Sequence, residues 1–131
     1  MKNAIHTNGK RKQAVARATL RTGTGKVLIN GKLLHSLTDH LTKLRILEPL
    51  VLCGELANKV NIDINVHGGG INGQADASRL AIARALVQYD GKLKKIFNDY
   101  DRLLLVADVR KNEVSKPNDS KPRAKRQKSY R

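Results

Sequence analysis

The 131-residue sequence has no tryptophan, four aromatic side chains in all and a single cysteine. Cys53 alone excludes an intrachain disulfide and any metal cluster built on several cysteines of one chain, which fits a reducing compartment. The scarcity of aromatics removes any platform on which successive bases could stack. Long apolar runs are also missing. The longest, residues 103–107, falls far short of the roughly 20 residues that cross a bilayer, so no membrane partner is expected. The N-terminus lacks the apolar stretch of about 7 to 15 residues that a secretory signal requires, and a cytoplasmic location is expected. Acidic residues are few, 11 against 26 Lys and Arg, leaving a formal net charge of +15.

That excess sits at the ends. Residues 1–12 carry four basic residues and no acid, residues 13–109 are only +4, and residues 110–131 carry nine basic residues against Glu113 and Asp119. The expected organisation is therefore a basic N-terminal segment (1–12), a globular domain (13–109) and an extended basic tail (110–131). The tail holds Pro117 and Pro122 and almost no apolar residue, so alone it cannot offset the entropy of being ordered. A cationic arm of this kind gains most from an anionic polymer, where each neutralised phosphate releases counterions. Nucleic acid is the expected partner.

Within the domain, residues 14–21 alternate small or apolar with polar side chains, a strand pattern, and residues 26–29 read as a second strand. The intervening Thr22-Gly23-Thr24-Gly25 predicts an antiparallel hairpin between them. Glu48-Pro49 reads as a helix start, giving a short helix over 49–53, while residues 37–47 are ambiguous. Strict alternation at Val60, Ile62, Ile64 and Val66 predicts a half-buried strand. Ser78, Ala81, Ile82, Ala85, Leu86 and Tyr89 recur at helical spacing over 74–89. A basic helical turn or two is expected over 92–98 and a fourth strand over 102–107. The pattern is α+β, with helices on one sheet face.

Catalytic signals are lacking. Gly23-Thr24-Gly25-Lys26 has Leu20 and Val27 where a phosphate loop needs Gly and Ser or Thr, and none of the five serines sits in a Gly-x-Ser-x-Gly elbow. The four histidines show no ligand spacing, so no metal, cofactor or enzymatic activity is expected. Cys53 ends an apolar stretch and reads as a small buried hydrophobe. Gly68-Gly69-Gly70 precedes a helix, and either offers backbone N–H groups to a phosphate or serves backbone angles that other residues resist. Arg17 and Arg21, beside Lys10-Arg11-Lys12, either extend a basic surface or form a solvated strand face.

Gly9-Lys10-Arg11-Lys12-Gln13-Ala14-Val15-Ala16-Arg17-Ala18 resembles the opening motif of the universal small-subunit ribosomal protein S-nine family. Val66-His67-Gly68-Gly69-Gly70-Ile71-Asn72-Gly73-Gln74-Ala75 is similar to its glycine loop, and Ala81-Ile82-Ala83-Arg84-Ala85-Leu86 to the helix that follows. Gln127-Lys128-Ser129-Tyr130-Arg131 and Glu48-Pro49-Leu50 resemble the archaeal and eukaryotic branch. The resemblance runs over residues 8–131. It implies a ribosomal-protein-S5-domain-2-like fold, binding to small-subunit rRNA in the head, neighbouring ribosomal proteins as partners, no homo-oligomer, and a C-terminal arm reaching the peptidyl-site tRNA. By the same resemblance the rRNA-facing set is Lys10, Arg11, Lys12, Arg17, Gly68, Gly69, Gly70, Arg79, Arg84, Arg110, Lys111, Arg123, Lys125 and Arg126. The tRNA-facing set is Lys128, Ser129, Tyr130 and Arg131. Val109 and Lys121 stand where the family commonly has Pro and Gly. Two other classes remain: a metabolite kinase, since such a fold is shared with some, and a DNA-compacting protein, for which charge alone suffices.

Overall fold

A computed structural model describes residues 4–124 and 129–131. Five strands form one mixed sheet: β1 (Ile5–Arg11), β2 (Ala14–Thr22), β3 (Val27–Ile29), β4 (Lys32–Leu33) and β5 (Val60–His67), in the order β1-β2-β5-β3-β4. Three helices accompany it: α1 (His40–Leu52), α2 (Ile71–Tyr89) and α3 (Leu93–Tyr100). All neighbouring strand pairs are antiparallel except β3 with β5.

The alternation read in β2 and β5 sets the core. Cross-strand pairs Ala16–Val66, Ala18–Ile64 and Leu20–Ile62 point to one face, where each of these residues is buried. Against that face lies α2, which crosses β1, β2 and β5, and α1 packs on α2. Alanines at 75, 77, 81, 83 and 85 are all buried, and such small side chains let the helix backbone come close to the sheet. Gly9 marks the closest approach: a Cβ there would stand 2.1 Å from the carbonyl oxygen of Ala77. Thr7 fixes the same crossing by donating its hydroxyl to Ala81 O at 2.8 Å.

Three expectations are corrected. Residues 14–21 and 26–29 do not form a hairpin, because β5 inserts between them and pairs with both. The eight-residue β5 matches β2 over eight pairs, whereas β3 has only three residues to offer. The Gly23–Gly25 loop bends over the start of β5 instead, where the Asn61 side chain accepts from the N–H groups of Thr24 and Lys26. The helix expected at 49–53 begins at His40, capped by Asp39, whose carboxylate accepts from Leu41 N at 3.3 Å. Pro49 sits inside that helix, fully buried. Finally, residues 102–107 are not a strand: Asp101 accepts from Leu103 N at 2.9 Å and winds Arg102–Leu104 into a single 3-10 turn that buries Leu104. A run of uniformly apolar residues has no period to tell the two apart.

The basic N-terminal segment contributes β1, a strand that the hydrophobic pattern did not predict. The helical turn expected over 92–98 is α3, and 74–89 lies within α2. Residues 106–124 carry no helix or strand.

Candidate nucleic-acid interface

The face of the sheet away from α2 is uncovered and polar. Alternation places His6, Asn8 and Lys10 of β1, Arg17, Thr19 and Arg21 of β2, and Asn61, Asp63, Asn65 and His67 of β5 on it. Register then sets them in rows. Lys10 faces Val15, which faces His67; Asn8 faces Arg17, which faces Asn65; His6 faces Thr19, which faces Asp63; Arg21 faces Asn61. His6 Nδ1 and Thr19 Oγ1 are hydrogen-bonded at 3.1 Å. Lys10, Arg17 and Arg21 have no side-chain hydrogen bond or ion pair among the described residues, and Asp63 is the single acid of the face. Unpaired cations spaced along a flat polar surface are suited to a phosphate backbone.

At one end of this face the β1–β2 turn meets the glycine loop. Lys12 holds a left-handed backbone with φ of 53° and is exposed. Gly68 and Gly69 also have positive φ, 76° and 62°, and press on the same turn: a Cβ on Gly68 would lie 2.4 Å from Gln13 O. Backbone angle and contact therefore explain these two glycines. Gly70 differs. It is extended and exposed, nothing lies within 4 Å of its Cβ position, and it immediately precedes α2.

Five arginines of the expected set are held by the protein itself, four of them around β1, α2 and the root of the tail and the fifth, Arg123, along the tail. Arg11, with only 15% of its side chain exposed, lies 2.8 Å from Asp108 and 3.7 Å from Asp76. Arg79 is pinned between Glu48 and Asp101, donating to the latter at 3.1 Å. Arg84 donates from Nε to Leu105 O at 3.1 Å and from Nη1 to Asn8 O at 3.0 Å. Arg110 chelates Asp108, with Nη2 to Oδ2 at 2.7 Å. Arg110's side-chain hydrogen bonds, followed by that from its backbone N–H, hold the Asp108 carboxyl down to about 2. Together these ion pairs and hydrogen bonds tie β1, α1, α2 and the start of the tail to one another.

Along the tail, Arg123 and Lys116 pair with Glu113, at 2.7 and 3.3 Å, and Lys111 is exposed. Ser129, Tyr130 and Arg131 are exposed, while Lys125, Arg126 and Lys128 lie outside the described residues. Cys53 is half-buried and donates Sγ–H to Leu50 O at 3.1 Å; burial pushes its thiol up, away from nucleophilic use. Sequence reasoning missed His6, Asn8 and Asn65. The alternate positions of β5 would have flagged Asn65, but His6 and Asn8 lie on a strand whose inward residues, Ile5, Thr7, Gly9 and Arg11, show no apolar alternation.

The family model for ribosomal protein S9/S16 matches residues 9–131. The chain belongs to this family. The small ribosomal subunit protein uS9 of Methanococcus maripaludis strain C7 is 49% identical, over 97% of this chain and 98% of its own length. That of Methanococcus vannielii is 46% identical over the same shares. Membership makes the chain a structural ribosomal protein acting in translation on the ribosome, in the cytoplasm, and not an enzyme. The metabolite-kinase reading is thereby set aside.

Proposed function

We propose that the chain is an rRNA-binding constituent of the small-subunit head, built on a ribosomal-protein-S5-domain-2-like fold, with its basic C-terminal arm reaching the peptidyl-site tRNA. The observation that carries the rRNA reading is the contrast between two sets of cations. Lys10, Arg17 and Arg21 stand unpaired on the open sheet face, with Lys12 and Gly70 at its end, whereas Arg11, Arg79 and Arg84 are spent on carboxylates and carbonyls. The unpaired set meets phosphates directly. The paired set acts beneath it, holding β1, α2 and the root of the tail in register.

Without tryptophan and with Tyr89 on α2 and Phe97 and Tyr100 on α3, no strand of this face carries an aromatic side chain, and recognition rests on backbone and shape rather than on stacking. Lys111 and Arg123 add phosphate contacts along the arm, as do Lys125 and Arg126 from the sequence pattern. Arg110 bridges the two regions, its guanidinium largely exposed while it holds Asp108. Ser129, Tyr130 and Arg131, with Lys128, offer cationic and hydroxyl hydrogen bonds to the tRNA backbone, retaining it without reading its sequence.

Binding of small-subunit rRNA to the double variant Arg17→Gln/Arg21→Gln tests the sheet face. Each lost phosphate contact lowers the log-log salt slope by roughly 0.7 to 0.9, so a fall of about 1.4 to 1.8 is expected. An unchanged slope would move the interface off the sheet.

A further inference from the structure

Asp63 sits where a face suited to phosphates has no use for an acid. It is exposed in the middle of β5, on the open side of the sheet, and its side chain has no hydrogen bond or ion pair among the described residues. Register puts Thr19 directly opposite it and Arg17 and Arg21 on the two diagonals. Diagonal neighbours on antiparallel strands lie about 7 to 8 Å apart, within reach of an arginine, yet neither guanidinium pairs with the carboxylate. Asp76, Asp101 and Asp108, by contrast, are each taken up by an arginine. Asp63 is a free acceptor held among free cations.

A phosphate diester accepts hydrogen bonds and donates none, so a carboxylate beside it only repels. A hydroxyl donates, and a charged acceptor is among its stronger partners. Asn65, two residues along β5 on the same face, is exposed and free as well, and its amide both donates and accepts. The other amides of the face are engaged: Asn61 accepts from Thr24 N and Lys26 N, and Asn8 Oδ1 lies 3.5 Å from Arg84 Nη1. Cations bracket the free pair. Arg17 and Arg21 stand four residues apart on β2, about 13 Å, and Lys10, facing Val15, extends the row to about 20 Å. Between them lies a broad, shallow depression of about 540 Å³, lined by His6, Asn8, Arg17, Thr19 and Asn65. The wide, shallow minor groove of A-form RNA displays 2′-hydroxyls between its phosphates, so a flat face can meet both. Single-stranded RNA is held instead by stacking its splayed bases on aromatic rings, and no strand of this sheet carries one.

We propose that the open sheet face takes base-paired RNA on its minor-groove side, and that Asp63, together with Asn65, accepts from ribose 2′-hydroxyls while Lys10, Arg17 and Arg21 hold the flanking phosphates. Asp63 is then a specificity-determining residue. It lowers affinity for every phosphate backbone and recovers the loss only from one that carries hydroxyls, which sets RNA apart from DNA. This inference rests on the sheet face being the RNA-binding surface, and adds what that face discriminates.

Fluorescence anisotropy of the full chain with a short RNA duplex, its 2′-fluoro counterpart and one of its single strands tests this. Fluorine keeps the A-form while removing the hydroxyl donor. The unaltered chain should bind the RNA duplex about tenfold more tightly than the 2′-fluoro duplex, the lower end for hydrogen bonds to a charged group, and more tightly than the single strand. Asp63→Ala should weaken binding of the RNA duplex, strengthen that of the 2′-fluoro duplex and so remove the preference. Asp63→Asn, which keeps an acceptor, should retain part of it. Asn65→Ala should shrink the same preference and covers any misfolding of the first variant. An equal gain for both duplexes on Asp63→Ala would leave Asp63 as a repulsive charge and overturn the proposal, as would an unchanged ratio, no preference in the unaltered chain, or tighter binding of the single strand. The double variant Arg17→Gln/Arg21→Gln separates the two readings. If it weakens both duplexes while Asp63→Ala leaves their ratio unchanged, the face binds RNA without reading the ribose; if it weakens neither, the sheet face itself is not the RNA surface and both readings fall.

Discussion

Replacing Arg84 by methionine separates a brace from an RNA contact. The guanidinium reaches across from α2 to two carbonyls on separate segments, Asn8 O on β1 and Leu105 O after the 3-10 turn. Methionine keeps the length and the apolar stem but leaves both oxygens without this donor. Hydrogen bonds to a charged donor contribute about 1.5 to 3 kcal/mol each, and these are partly open to water, so the lower end applies. Methionine's packing returns part of this, leaving a net loss of about 2 kcal/mol. For a domain near 100 residues that corresponds to a fall in Tm of roughly 10 °C, or about 1.5 M in the urea midpoint at an unchanged slope. Circular dichroism of the full chain during urea unfolding reads it. Lysine should rescue little, since a single ammonium cannot span both carbonyls in the geometry of a planar fork. An unchanged midpoint together with weakened rRNA affinity would refute the brace and return Arg84 to the RNA-facing set.

Gly9→Ala drives a methyl group into the Ala77 carbonyl, a backbone atom that cannot swing aside, and should cost about 3 kcal/mol, read as a lowered urea midpoint. Asp108 should titrate near 2 by carboxyl NMR, and Arg110→Ala should raise that midpoint. Because its folded value is depressed below the usual 3.9, the contact's stabilisation is complete above that pH and fades as pH falls towards 2. A midpoint near 3.9 in the unaltered protein would count against the pairing. Deleting residues 128–131 should leave the domain's melting unchanged and weaken tRNA retention in the peptidyl site; equal tRNA affinity with and without these residues would remove the terminus from that role.

Membership of the family was readable before any coordinates, because it rests on blocks of sequence such as residues 9–18 and 66–75. Two elements were equally plain. Val60, Ile62, Ile64 and Val66 alternate strictly, and the α2 stripe repeats at helical spacing, since each element buries one face and must encode that face locally. The charge of the ends needed only a count of basic and acidic residues along the chain.

What the sequence could not decide was which groups meet at long range. Strand order depends on competition for partners: β2 and β3 are adjacent in the chain, yet the longer and better matched β5 takes the place between them. β1 lacked a pattern because its inward positions include Gly9, chosen for closeness to α2 rather than for apolarity. Above all, a cation on a sequence row looks the same whether it is free or paired. Arg17 and Arg11 are six residues apart in one basic motif, but strand alternation turns Arg17 to the open face and Arg11 inward, where Asp76 and Asp108 arrive from distant segments to meet it. Charge is a property of composition; its availability to a phosphate is fixed only when the fold brings the carboxylates into place.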